Sequence, residues 1–214
     1  MTRGLFLSFE GGEGSGKSHQ ARRLADELTT AGRDVVLTRE PGGTAAGERI
    51  REIVLHAKEI ALGPEAQVLL YSTARAQNVR EVIEPALNAG KIVIADRFYD
   101  STLAYQGYGH GVPLEQIRAV TRLAVEGLVP DRTFLLDIPV ETGLGRSGWQ
   151  RRAQWDRFEV LEREFHERVR MGYLELARTE PGRYLVLKGD RDEAAIAADV
   201  RKAVDALLGA PAKA

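Results

Sequence analysis

Residues Gly11 to Ser18 read G-G-E-G-S-G-K-S, which satisfies the pattern G-x-x-x-x-G-K-[ST] at every fixed position. The flanks suit such a loop. Leu5, Phe6, Leu7 and Phe9 form an apolar run of strand length before it, and Ala21, Leu24, Ala25 and Leu28 recur at helical spacing after it. A strand that enters a glycine-rich turn and opens a helix converges successive backbone N–H groups on one point, where the helix dipole also favours negative charge. Gly11, Gly12, Gly14 and Gly16 permit backbone conformations that a Cβ would forbid. The expected ligand is the polyphosphate of a nucleoside triphosphate, held by Gly11, Gly12, Glu13, Gly14, Ser15, Gly16, Lys17 and Ser18. Lys17 should reach the β- and γ-phosphates and the Ser18 hydroxyl should ligate Mg²⁺.

Apolar runs that alternate with helical periodicity over 214 residues, 43% of them hydrophobic, describe a single α/β domain over residues 1–209. Further strands are expected over Asp34 to Thr38, Lys91 to Asp96, Thr133 to Asp137 and Tyr184 to Leu187. Helices should span about Ser18 to Ala31, a stretch around Ile50 to Leu55, Pro64 to about Ala89 with a kink near Pro85, Pro113 to Gly127, about Glu159 to Arg178 and about Asp192 to Leu208. Ser101 to Gly111, rich in Gly and Tyr, reads as a helix start followed by a site-facing loop. The tail over 210–214 should fray. With 30 Lys+Arg against 31 Asp+Glu the formal net charge is −1, which argues against a nucleic-acid partner. Cysteine is absent, and His19, His56, His110 and His166 show no ligand spacing. No apolar run reaches 18 residues, so no membrane association and a cytoplasmic location are expected.

Ligand sites in open parallel sheets collect at the C-terminal ends of the strands. Arg39 lies just beyond the second strand, Asp96 ends the third, and Arg97 follows it. Asp96 is placed to hold Mg²⁺, often through water. Bringing two polyphosphates together for phosphoryl transfer requires their repulsion to be cancelled, and Arg39 and Arg97 stand where an acceptor phosphate could be clamped. Each could instead pair with Glu40, Asp96 or Asp100. The stretch Arg146, Ser147, Gly148, Trp149, Gln150, Arg151, Arg152 reads as part of a mobile lid, about 143–156, whose closure would bring positive charge to the transferring group and exclude water. Tyr71 and Arg75, four apart on a helix, offer an aromatic face and a guanidinium to a planar base.

F-E-G-G-E-G-S-G-K-S, T-R-E-P-G-G, D-R-F at Asp96 to Phe98, S-T-L-A-Y-Q-G from Ser101 and D-R-F-E at Asp156 to Glu159 together resemble bacterial thymidylate kinases. The resemblance implies a P-loop nucleoside-monophosphate-kinase fold, with a five-stranded parallel sheet flanked by helices. It implies the reaction MgATP + dTMP → ADP + dTDP and a homodimer. Carried over motif by motif, Arg39 and Arg97 would bind the dTMP phosphate, Glu13 the sugar 3′-hydroxyl and Arg75 the thymine, which Tyr71 would stack. Ser101 and Gln106 would line the thymine site, and Tyr105 would pack near the 2′ carbon. Some family members carry an arginine inside the phosphate loop, where this chain has Gly14 and Ser15. The transition-state arginine is therefore expected among Arg146, Arg151 and Arg152. Competing readings are another nucleotide or deoxynucleoside kinase, a GTP-binding switch, which the absence of N-K-x-D disfavours, and a nucleic-acid-binding ATPase.

Overall fold

Strands Phe6–Glu10 (β1), Val35–Arg39 (β2), Ile92–Asp96 (β3), Arg132–Asp137 (β4) and Tyr184–Lys188 (β5) form one parallel sheet in the order β2-β3-β1-β4-β5. The computed structural model describes residues 3–57, 59–147 and 163–209. Between and after the strands run helices Lys17–Thr30 (α1), Ala45–Arg51 (α2), Pro64–Asn78 (α3), Glu84–Asn88 (α4), Tyr99–Thr102 (α5), Leu114–Val125 (α6), Val140–Ser147 (α7), Arg163–Thr179 (α8) and Glu193–Gly209 (α9).

The central strands are covered on both faces, which is why their sequences are nearly continuous apolar runs. Alternation along β1 then decides what faces what. Leu7 and Phe9 join Ala21, Leu24 and Leu28 of α1 and Ile196, Val200 and Val204 of α9 in one apolar cluster. Phe6 joins the other cluster, with residues of α3, α6 and α8. Ser8 and Glu10 share the parity of Phe6, so a polar column runs up that side of β1 to the sheet's C-terminal edge.

Register assembles that edge. Arg39 stands opposite Asp96, and Asp96 opposite Phe9. From central β1 the chain goes out to β2 on one side, and after β3 it crosses to β4 on the other. The crevice above β1 is thus the topological switch point where open α/β sheets bind ligands.

Two stretches depart from the sequence reading. The irregularity near Pro85 is a wide π-type turn over Val79–Ile83 that joins α3 to α4. Proline has no N–H to donate to the preceding turn and its ring crowds that turn, so the helix widens just before it. The stretch expected to become a loop after Ser101 is helical, with α5 continuing as a π-type segment over Leu103–Gly109. Its glycines are spacers rather than breakers. A Cβ at Gly107 would lie 2.4 Å from Leu114, and one at Gly109 would lie 2.6 Å from the Phe165 ring of α8.

Candidate active site

The phosphate loop uses its glycines where the backbone demands them. Gly11, Gly14 and Gly16 have φ of 143°, 64° and 90°, and Gly16 is the N-cap of α1. Gly14 is fixed from outside as well. A Cβ there would lie 2.1 Å from the carbonyl oxygen of Gly143 in α7, and a Cβ on Gly143 would lie 2.3 Å from that of Glu13. Loop and helix therefore meet backbone to backbone, and a side chain at either position would force them apart. Lys17 is buried and folds back to donate to the Gly12 carbonyl at 3.3 Å. Burial, with Arg97 nearby, lowers its pKa, while Glu13, Asp96 and Glu10 oppose the shift. The Ser15 hydroxyl is buried with no hydrogen-bond partner among the described residues.

Beside the loop opens a cleft of ≈ 370 Å³. Glu13, Arg39, Tyr71, Arg75, Arg97, Ser101, Tyr105 and Gln106, the residues expected to hold the acceptor nucleotide, all line it, together with Lys17, Ser18 and Asp96. Their sources are β2, α3, the end of β3 and α5 with its continuation, so the sheet edge brings together residues from Glu13 to Gln106 in sequence.

Arg97 is the hub. Its Nη1 donates to the Gly11 carbonyl at 3.2 Å, to Ser101 Oγ at 3.0 Å and to Tyr173 OH at 3.0 Å. Its Nη2 donates to Glu13 Oε1 at 3.0 Å and to Tyr105 OH at 3.2 Å. The Tyr105 hydroxyl in turn donates to Glu13 Oε1 at 2.6 Å. Burial pushes the Glu13 carboxyl up, but Lys17, Arg97 and the Tyr105 hydroxyl outweigh it and hold the pKa down at about 2. Glu13 is accordingly an anion at neutral pH, able to accept a hydrogen bond from a hydroxyl.

At the inner end lies a second buried pair. Arg75 Nε donates to Glu40 Oε2 at 2.7 Å, with the two side chains 2% and 4% exposed. Arg75 Nη2 reaches Thr102 Oγ1 at 3.1 Å and the Phe98 carbonyl at 3.4 Å, and Asn78 Nδ2 donates to the other Glu40 oxygen at 3.3 Å. Arg75 Nη1 is buried with no partner among the described residues. A buried guanidinium N–H without an acceptor is costly, and a base carbonyl in the cleft would satisfy it. Gln106 Nε2 donates to Gln67 Oε1 at 3.1 Å, which fixes its amide on the cleft wall.

Arg39 faces the cleft mouth but pairs at 3.0 Å with Glu48, a partner that sequence inspection did not suggest, and both side chains are about half exposed. Two of the three carboxylates weighed against these arginines are committed elsewhere, Glu40 to Arg75 and Asp100 to Arg183, each at 2.7 Å. Arg22, Arg51 and Thr102 also line the cleft without having been singled out. A helix-face argument reaches Arg22, one turn beyond Ser18. Arg51 had no local signal.

No group of three or more His, Cys, Asp or Glu able to hold a metal occurs among the described residues. Ser18 and Asp96 both line the cleft and offer two oxygen donors, a set that fits Mg²⁺ when phosphate oxygens and water complete its shell.

The lid region is described only as far as Ser147, and that part belongs to α7. Arg146, in the last turn of α7, donates to the Gly189 carbonyl at 2.8 Å. A Cβ at Gly189 would lie 3.1 Å from the Ser15 carbonyl, so the turn after β5 packs on the phosphate loop. Arg151, Arg152 and the D-R-F-E motif lie outside the described residues.

A sequence model of the family described as thymidylate kinase matches residues 9–200. Thymidylate kinase of Pelotomaculum thermopropionicum is 49% identical over 208 residues, covering 97% of this chain and 96% of that protein. Thymidylate kinase of Trichlorobacter lovleyi is 45% identical over 211 residues, 97% of this chain and all of that protein. The crystal structure of thymidylate kinase from Ehrlichia chaffeensis superposes with a TM-score of 0.77 at 33% identity, over 95% of this chain and 99% of that one.

Proposed function

The chain belongs to the thymidylate kinase family and phosphorylates dTMP to dTDP, and we propose that it does so from MgATP with the phosphate loop as donor site and the adjoining cleft as acceptor site. The observation that carries this division is the convergence of eight sequence-expected acceptor residues on one cleft that begins at Lys17 and Ser18.

In the proposed reaction an ionised dTMP phosphate oxygen attacks the γ-phosphorus of ATP. The new O–P bond forms as the bond to the β–γ bridging oxygen breaks, and ADP leaves. Arg97 and Arg39 bind the acceptor phosphate, Arg39 by turning from the exposed Glu48, whose pairing is worth about 1 kcal/mol or less. Glu13 accepts a hydrogen bond from the 3′-hydroxyl, and Tyr105 packs beside the sugar. Arg75 Nη1 donates to a thymine carbonyl, Tyr71 stacks on the ring, and Ser101 and Gln106 border it. Lys17 and the loop amides neutralise the transferring group. The nucleophile is already an anion, so no general base is required. Ser18 and Asp96 would hold Mg²⁺, which would supply charge neutralisation for the β- and γ-phosphates. The transition-state arginine is Arg146, Arg151 or Arg152; Arg146 would first release the Gly189 carbonyl.

A coupled ADP-release assay across dTMP, dUMP, dGMP, dCMP and thymidine, with and without EDTA, tests the assignment. Turnover should be highest with dTMP and vanish on chelation; a higher rate with dGMP or dCMP would move the chain to another nucleotide kinase. The chain is also proposed to be a cytoplasmic homodimer. Among the described residues no helix is long and apolar enough to cross a membrane. Leu69 of α3 and Leu123 of α6 are 57% and 82% exposed, apolar surface that a second copy could cover. Sedimentation should give twice the 23.6 kDa chain mass, and a monomer at micromolar concentration would refute the dimer.

A further inference from the structure

Glu10, fully buried at the end of β1, lies behind the cleft wall and has no part in the reaction as described above. Its contacts all lead to Arg97. Glu10 Oε1 accepts the Phe98 N–H at 2.7 Å, and Oε2 accepts Ser101 Oγ at 2.6 Å and Tyr173 OH at 3.0 Å. Resting on the reading of Arg97 as the acceptor-phosphate clamp, we propose that Glu10 is a positioning residue that sets both the backbone and the guanidinium of Arg97 for the dTMP phosphate.

The backbone part concerns an uncommon conformation. Arg97 has φ of 73°, and among the described residues only Glu126 is another non-glycine with positive φ. The left-handed region is unfavourable for an L-residue because its Cβ crowds the following carbonyl, so it persists only where neighbours over-determine it. They do so here from both sides: the Arg97 N–H is held by the Phe9 carbonyl at 3.0 Å, and the next N–H, that of Phe98, by Glu10. Without the carboxylate, a buried amide loses its acceptor and the peptide following Arg97 is released.

The guanidinium part concerns hydroxyl direction. Ser101 and Tyr173 each own one hydroxyl hydrogen. Donating it to Glu10, or from one to the other toward Glu10, leaves their lone pairs facing Arg97 Nη1, which donates to both oxygens at 3.0 Å. An acceptor-only group at position 10 thus orients two hydroxyls as acceptors for the clamp. Burial and the negative charge of Asp100 push the Glu10 carboxyl up to about 7, against Arg97, the Ser101 hydroxyl and the Phe98 N–H, and pH 8 lies on the ionised side of that value.

Glu10→Gln keeps size and shape. With its oxygen on the Phe98 N–H, its NH₂ faces Ser101 and Tyr173 and turns their hydrogens toward Arg97. Binding of dTMP and of thymidine at pH 8 by calorimetry separates the phosphate from the rest of the ligand. In Glu10→Gln the affinity for dTMP should fall by about tenfold or more, the scale of a charge-assisted hydrogen bond, while thymidine stays within about twofold. Tyr173→Phe, which removes one relay hydroxyl and leaves Glu10, should shift the same ratio in the same direction by less. Arg97→Ala is the control, and Glu10→Gln added to it should cost no further preference for dTMP over thymidine. Loss of preference in Arg97→Ala but not in Glu10→Gln or Tyr173→Phe overturns the positioning role and leaves the clamp standing. Equal losses for dTMP, thymidine and ATP in Glu10→Gln reduce Glu10 to a structural residue and also overturn it. An unchanged preference in Arg97→Ala removes the clamp reading and this inference with it.

Discussion

Lys17→Ala should reduce phosphoryl transfer by at least about 10²–10³-fold, the usual loss when one preorganised cationic or hydrogen-bonding group is taken from a transition state. The same substitution should barely affect folding. The ammonium makes one long hydrogen bond, 3.3 Å to the Gly12 carbonyl, and its burial already disfavours its charge. Deleting it relieves a desolvation cost as well as losing the attraction of Glu13, Asp96 and Glu10. Single-turnover quench with saturating ATP and dTMP reads the chemical step, and a thermal melt reads the fold. A melt within a few degrees of the parent with transfer lost places Lys17 in the reaction. Parent-like single-turnover rates would falsify the donor assignment of the loop.

What could be read in the sequence was whatever is encoded by near neighbours. The phosphate loop, its strand and its helix are consecutive, and Arg39, Asp96 and Arg97 each announce themselves by following an apolar run. Which charge meets which was not legible, because pairing depends on chain segments far apart. Glu13 reaches across to Arg97, Glu40 to Arg75 and Asp100 to Arg183. Tyr173, in the Arg97 network, arrives from α8 with no local cue at all. Ser101 to Gly111 misled for a physical reason. Glycine weakens a helix by propensity, but here close approach of α8 and α6 requires residues without side chains, and tertiary packing overrides the local preference. Glu10 was hidden by its position: as the last residue of a buried strand it reads as the prefix of the loop motif. Only the parity of β1, with Ser8 and Glu10 on the polar column, shows that it faces Arg97 rather than the apolar layer of α1.

Arg75 binds the base in the proposed reaction and also neutralises Glu40, and a pair of variants separates these roles. Arg75→Met should destabilise the protein by about 3–5 kcal/mol, because it leaves a carboxylate buried without its cation. At roughly 2–4 °C per kcal/mol for a chain of this size, the melt should fall by about 6–20 °C. The direction of the Glu40 shift agrees: burial raises its pKa even with Arg75 and Asn78 holding it down, so loss of the guanidinium drives it toward the neutral acid. Replacing the whole pair, as Arg75→Met with Glu40→Met, should recover most of the lost stability, since a buried ion pair exchanged for apolar side chains of similar volume is often neutral. Affinity for dTMP should remain low in the double variant, because the base still lacks the N–H that Arg75 Nη1 presents without another partner among the described residues. Recovery of stability together with dTMP affinity would show that Arg75 acts on the cleft only through Glu40. Recovery of stability alone would assign thymine recognition to the guanidinium itself.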